Sequence, residues 1–275
     1  MASTGEAGRA GAMGVSMRMT GHADLTLSGL IAIVSTATGA LNVSTNPQNR
    51  NGWIDRAALL DPDEGPLSDL IERLIAAGFG ANRRAVSASL LLRQGWAAGP
   101  IIAAHLVAGR VLRIEDFSLR FSGATLVESV WIRQADAWQP STTRGLRAGT
   151  LKSLLLFSEP LLDSQSAWSG YSRHALWSML ASSWLAQFAA IGERLGRRRQ
   201  AVHEARVMLG NHSELARALP DTYEMACGKR SEFCQVLKAC CLSYKGYRHS
   251  FCASCPLVPN QERFLRNREW VCRNR

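Results

Sequence analysis

The chain has 275 residues, 47% of them hydrophobic, which is enough to bury one large core with at most a small appendage. Thirty-two Lys and Arg against 22 Asp and Glu give a formal charge of +10, a balance that favours anionic ligands, anionic lipid, nucleic acid or an acidic protein as partner. All seven cysteines lie at or after Cys227, which excludes a secreted scaffold stapled along its length and points to a reducing compartment with a localised inorganic site.

Residues 1–20 are rich in Gly, Ala, Ser and Met and are expected to be disordered. The apolar run "LTLSGLIAIV" from Leu25 to Val34 is too short to span a bilayer and follows Asp24 directly, so it reads as a buried helix rather than an export signal. "NVSTNPQNRNG" reads as a loop. "PLSDLIERLIAAGFG" reads as a helix with Pro66 at its start and glycines at its end. A longer helical stretch, "NRRAVSASLLLRQGWAAGPIIAAHLVAG", is expected to kink or divide at Pro100 and to close at Gly109.

The period then changes. Phe117, Leu119 and Phe121 alternate with Ser118, Arg120 and Ser122, which predicts a strand, and "TLVESVWIR" returns it to form a β-hairpin near residues 115–133. Val127 and Trp131 compete with Val130 and Ile132 for the buried face of the second strand. After "QPSTTRG" the pattern is helical again. Leu176, Leu180, Trp184, Phe188, Ile191 and Leu195 form one apolar stripe, and the tryptophan in it reads as core. The fold expected is α+β and predominantly helical. It has a body over residues 21–226 that carries the hairpin, and a small C-terminal segment over residues 227–275.

Most chemical motifs are missing. "GFGANR" follows a helix and has Arg83 where a dinucleotide fingerprint needs its third glycine. There is no phosphate loop, nucleophile elbow or HExxH, and the histidines are scattered, His249 alone lying between cysteine pairs. The chemistry is therefore sought in Cys240, Cys241, Cys252 and Cys255. A structural zinc site uses two chelating pairs, and Cys252 with Cys255 has the required two-residue spacing. Cys240 and Cys241 are adjacent, so their side chains diverge and suit one tetrahedral ion poorly. A two-iron cluster accepts thiolates from several directions.

The pattern C-C-x10-C-x2-C followed by Pro256 resembles the [2Fe-2S] motif of the FhuF-like ferric-siderophore reductases. The flanks "CCLSYK" and "FCASCPL" resemble that family, as do "LLLRQGWAAGPIIAAHLVAGRV" and "YSRHALW" upstream, so the likeness covers about Asn82 to Leu257. It implies a [2Fe-2S] cluster on Cys240, Cys241, Cys252 and Cys255, and one-electron reduction of a ferric siderophore in the cytoplasm. A ferredoxin or flavodoxin would be the electron donor, with no nucleic acid involved and a transient association with the inner face of the membrane allowed. Tyr244, Lys245, Arg248 and His249 are candidate donors or anion contacts around the cluster. Arg83, Arg84, Trp96 and Arg110 are candidates for the siderophore site. Cys227, Cys234 and Cys272 are additional to the motif and stand as bystanders or alternative ligands, and the basic end "RFLRNREWVCRNR" has no counterpart to assign. Two other classes remain: a zinc-stabilised module with a nucleic-acid-contacting basic tail, and an iron–sulfur carrier serving another reductase.

Overall fold

The computed structural model describes residues 25–123, 125–246 and 250–273. The expected disorder of residues 1–20 therefore lies outside the described residues, as do Arg248 and His249. The protein is a predominantly helical α+β structure. No helix among the described residues is long and apolar enough to cross a membrane.

The first apolar run forms α1 (Leu27–Thr38), capped by the Thr26 hydroxyl, which accepts from the Gly29 N–H. Two three-residue strands follow, β1 (Asn42–Ser44) at the start of the stretch expected to be loop and β2 (Trp53–Asp55) just after it. Next come α2 (Gly65–Ala76) and α3 (Arg83–Gln94), the latter capped by Asn82. The stretch after α3 divides as Pro100 predicts. A 3-10 turn over Gly95–Ala98 leads into α4 (Gly99–Ala103) and a π turn over Ala104–Ala108, which Gly109 closes in the left-handed region at φ 62°.

The predicted hairpin is present and longer than its alternation suggests, as β3 (Val111–Phe121) and β4 (Val127–Trp138). It pairs Phe117 with Ile132 and Leu119 with Val130, which settles the contested face: Val130 and Ile132 are buried, whereas Val127 and Trp131 are half-exposed. The short strands complete a sheet of order β1-β4-β3-β2, β1 parallel to β4 and β2 antiparallel to β3. Helix α5 (Thr143–Ser169) covers the sheet, with Phe157 stacked on Phe117 at 4.1 Å between ring centroids.

At the centre runs α6 (Arg173–Arg194), started by Ser172 as N-cap. Five members of the predicted stripe, Leu176, Leu180, Trp184, Phe188 and Ile191, are buried, and Trp177 meets Trp184 edge-on at 6.2 Å. The helices α7 (Arg198–Leu209) and α8 (Ser213–Ala218) pack on it.

The C-terminal segment begins with a second hairpin, β5 (Asp221–Cys227) and β6 (Arg230–Val236), turned at Gly228 with φ 63°. Cys227, where the C-terminal segment is expected to begin, is the last residue of β5. Ser182 of α6 exchanges two hydrogen bonds with the Gln235 side chain, which fixes β6 to the body. A cysteine-bearing loop follows, and then α9 (Asn260–Arg273).

Candidate metal centre

The loop between β6 and α9 owes its shape to a few polar anchors. Ser178 on α6 accepts from the N–H groups of Lys238 and Ala239 at 3.1 and 3.2 Å, and the Leu237 N–H donates to Ser254 O at 3.0 Å, closing the loop's base. Leu242 takes up a left-handed conformation at φ 58°, which turns the chain immediately after the adjacent cysteines. Gly246 then passes so close to α2 that a Cβ there would stand 2.2 Å from Gly78 O. The Tyr171 hydroxyl donates to Cys240 O at 2.5 Å, tying the segment "YSRHALW" to the cysteines.

From the other side, α9 grips the second cysteine pair through its buried positions. Arg263, 5% exposed, donates from Nη1 to Cys255 O at 2.9 Å and Val258 O at 2.7 Å, and also contacts Asn260 Oδ1. Asn267 donates to Ala253 O at 3.2 Å and Arg266 to Phe251 O at 3.0 Å. Four backbone carbonyls of "FCASCPLV" are thus held by three side chains of one helix.

Among the four motif thiols, Cys241 Sγ and Cys252 Sγ are 3.7 Å apart. The Cys240 thiol feels both Cys241 and Cys255. Cys255 and Cys241 are buried, and Cys240 and Cys252 are partly open. No group of three or more His, Cys, Asp or Glu side chains around a single ion occurs among the described residues. The donor set fits a [2Fe-2S] group, which needs four thiolates in total.

The electrostatics distinguish the thiols. Hydrogen bonding from Cys252, then from the hydroxyl and N–H of Ser243, draws the Cys241 thiol down to about 6, against the cost of burial. Its partner Cys252 is driven upward, first by that shared hydrogen bond and then by burial. Cys240 is pushed up to about 11, chiefly by burial. Burial and the neighbouring Cys240 and Cys241 also raise the Tyr171 phenol to about 12, so at neutral pH it stays protonated and can donate. In cluster-free protein, an ultraviolet thiolate titration is expected to show one thiol ionising near pH 6 and Cys240 near 11. The linkage follows. Below its unfolded value of 9.0, Cys241 is protonated in the unfolded chain but ionised in the fold, so its stabilising contribution falls as pH drops through 6. Cys240 and Cys252 act oppositely, since their protonated folded forms lose stability as pH rises above 9. Chemical denaturation across pH 5–11 checks both slopes.

Cys227 and Cys272 are joined by a disulfide with Cα atoms 5.5 Å apart. This corrects the expectation that both are bystanders or alternative ligands. Helix α9 runs back over the β5–β6 hairpin and carries its end to the hairpin's turn. Cys234 is a free thiol, raised by burial.

The remaining candidates separate into two groups. Arg83, Arg84 and Lys245 converge on one cleft of about 500 Å³, whose lining includes Asn82, Tyr171 and Leu242. Arg83 stacks over Trp168 at 4.9 Å and pairs with Asp63 at 3.4 Å, an exposed and therefore weak ion pair. Tyr244 packs on Phe251 at 5.0 Å within the cysteine loop. Trp96 and Arg110 do not line this cleft. Trp96 is on the turn after α3, and Arg110 is buried, donating to Leu25 O at 3.4 Å. Tyr171, Arg263 and Asn267 were not marked by the sequence reading. The signal for the last two is the spacing of Arg263, Asn267 and Val271 at i, i+4 and i+8, the buried face of α9. Comparisons with protein-family models, curated proteins and solved structures return no match.

Proposed function

We propose that the protein is a ferric-siderophore reductase that holds a [2Fe-2S] cluster on Cys240, Cys241, Cys252 and Cys255 and works in the cytoplasm. The observation that carries this reading is the presence of the four motif thiols and a basic cleft on the same loop, joined through Leu242 and Tyr171. When bound, such a cluster supplies reversible one-electron transfer.

The chain's own residues have three tasks. The thiolates hold the irons, and the carbonyl clamp from α9 fixes the second ligand pair in place. The Leu242 N–H donates to Cys240 Sγ at 3.3 Å and the Ser243 hydroxyl lies 3.3 Å from Cys241 Sγ, hydrogen bonds of the kind that set a cluster's potential. Arg83, Arg84 and Lys245 attract an anionic ferric complex to the cleft beside Cys240. Siderophore oxygen donors favour Fe(III), so one added electron weakens their hold, and Fe(II) leaves to another acceptor.

Protein purified without oxygen is expected to be reddish and to contain about two iron atoms and about two acid-labile sulfides per chain. Arg84→Glu and Lys245→Glu are each expected to lower kcat/KM for anionic ferric siderophores about tenfold while leaving cluster content intact. Colourless protein with one zinc would replace this reading with the zinc-stabilised module, and a reduced cluster that no ferric siderophore oxidises would favour the carrier.

A further inference from the structure

We infer that a second groove, beside Trp270, is where an acidic one-electron carrier protein docks to reduce the cluster, an inference that rests on the reductase reading. The groove, of about 420 Å³, lies between β6, the cysteine loop and α9, and its lining includes Phe233, Ala253, Ser254, Arg266 and Trp270. Ala253 and Ser254 are the two residues between Cys252 and Cys255, so a protein seated here is one residue from two cluster ligands. The groove shares no lining residue with the cleft of Arg83 and Lys245, so carrier and ferric complex have separate places on the same loop.

Two properties of this face select the partner's chemistry. Residues 227–275 contain ten Lys and Arg against three Glu, so most of the chain's excess positive charge sits on the segment with the cysteines. At the groove itself, Arg266 lines one wall and Arg230, paired with Glu232 of the lining, reaches over the Trp270 ring. The same segment also exposes apolar surface. Of the large exposed hydrophobic side chains among the described residues, Phe251, Leu257, Phe264, Leu265 and Trp270 all belong to the cysteine loop or α9. Trp270, 55% exposed and with Arg230 over its ring at 5.6 Å, has the character of an interface anchor. Apolar anchors inside a basic surround match an acidic protein with an apolar contact patch. A concave groove set against cluster ligands favours a protein over a lipid surface.

The test titrates the full-length protein with an acidic plant-type ferredoxin by calorimetry at low and physiological salt. Parallel titrations use vesicles of phosphatidylcholine with phosphatidylserine, and iron and sulfide are assayed in every sample. Saturable, salt-weakened ferredoxin binding is expected, reduced about tenfold or more by Trp270→Ala and with a shallower salt dependence in Arg230→Glu. Both variants should keep the iron content of the wild type and be reduced by dithionite at the same rate. Ferredoxin binding that ignores both substitutions, absent binding, or binding to vesicles alone through these residues overturns the inference. Protein lacking iron and sulfide that still binds ferredoxin here refutes the reductase reading and leaves the surface standing. Iron-loaded protein that binds no carrier does the reverse.

Discussion

On the proposed [2Fe-2S] reading, alanine at Cys240, Cys241, Cys252 or Cys255 is expected to abolish the visible absorption and bring bound iron to background, whereas Cys234→Ala leaves both unchanged. The contrast follows from position. The four motif thiols share the loop between β6 and α9, while Cys234 is on β6 and outside that loop. Within the motif, Cys241 should matter most for assembly, because it alone is ionised well below the ordinary thiol range and presents a thiolate at neutral pH. Cys227→Ala and Cys272→Ala define a third class. They leave every ligand in place but remove the bond that pins α9, with a stability loss of about 4 kcal/mol on the chain-entropy account for a closed loop of this size. Iron analysis and thermal unfolding on the same seven single variants separate ligand, bystander and strap.

Arg263→Leu is expected to destabilise the fold by about 3 kcal/mol and to speed the loss of iron to an external chelator. Its guanidinium is buried and donates to Cys255 O and Val258 O, so leucine leaves two carbonyls unanswered in a dry site. The same substitution frees the Cys255 ligand to shift, which should move the EPR signal of the reduced protein as well as lowering its melting temperature. Arg263→Lys restores a cation but not the planar guanidinium, whose Nη1 serves both carbonyls while Nη2 contacts Asn260, and should recover only part of each loss. A merely structural role for Arg263 would change melting temperature and leave the EPR signal of the remaining folded protein untouched.

How far the sequence anticipates this molecule depends on whether a segment's pattern is imposed by the core. Helix α6 is buried around the predicted stripe, and its period shows it. Pro100 and Gly109 act through backbone geometry alone, so they divide and close their stretch wherever they occur. Strands β1 and β2 are only three residues each and exist by pairing to the long hairpin, too short for an alternation to mark them. The β5–β6 hairpin buries only Met225 and Gln235, too little for an alternation to register. At the site, the four thiols are legible because their grouping is chemical rather than conformational. The cleft is half-legible. Arg83 and Arg84 could be named, but their meeting with Lys245 spans a separation of about 160 residues that only the fold closes. Cys227 and Cys272 pair across 45 residues, and spacing alone assigns no connectivity.

That last bond changes the order in which the centre can be built. It makes residues 227 to 272 a covalent ring, and Cys240, Cys241, Cys252 and Cys255 are all members of it. Once the ring is closed, no unfolding of the helical body can scatter the four thiols, because their greatest separation is limited by the ring and not by the whole chain. Opening the body and losing the metal are then separable events. A cut in the backbone between Cys241 and Cys252 would leave both fragments, with two of the four thiols on each, tethered through Cys227 and Cys272.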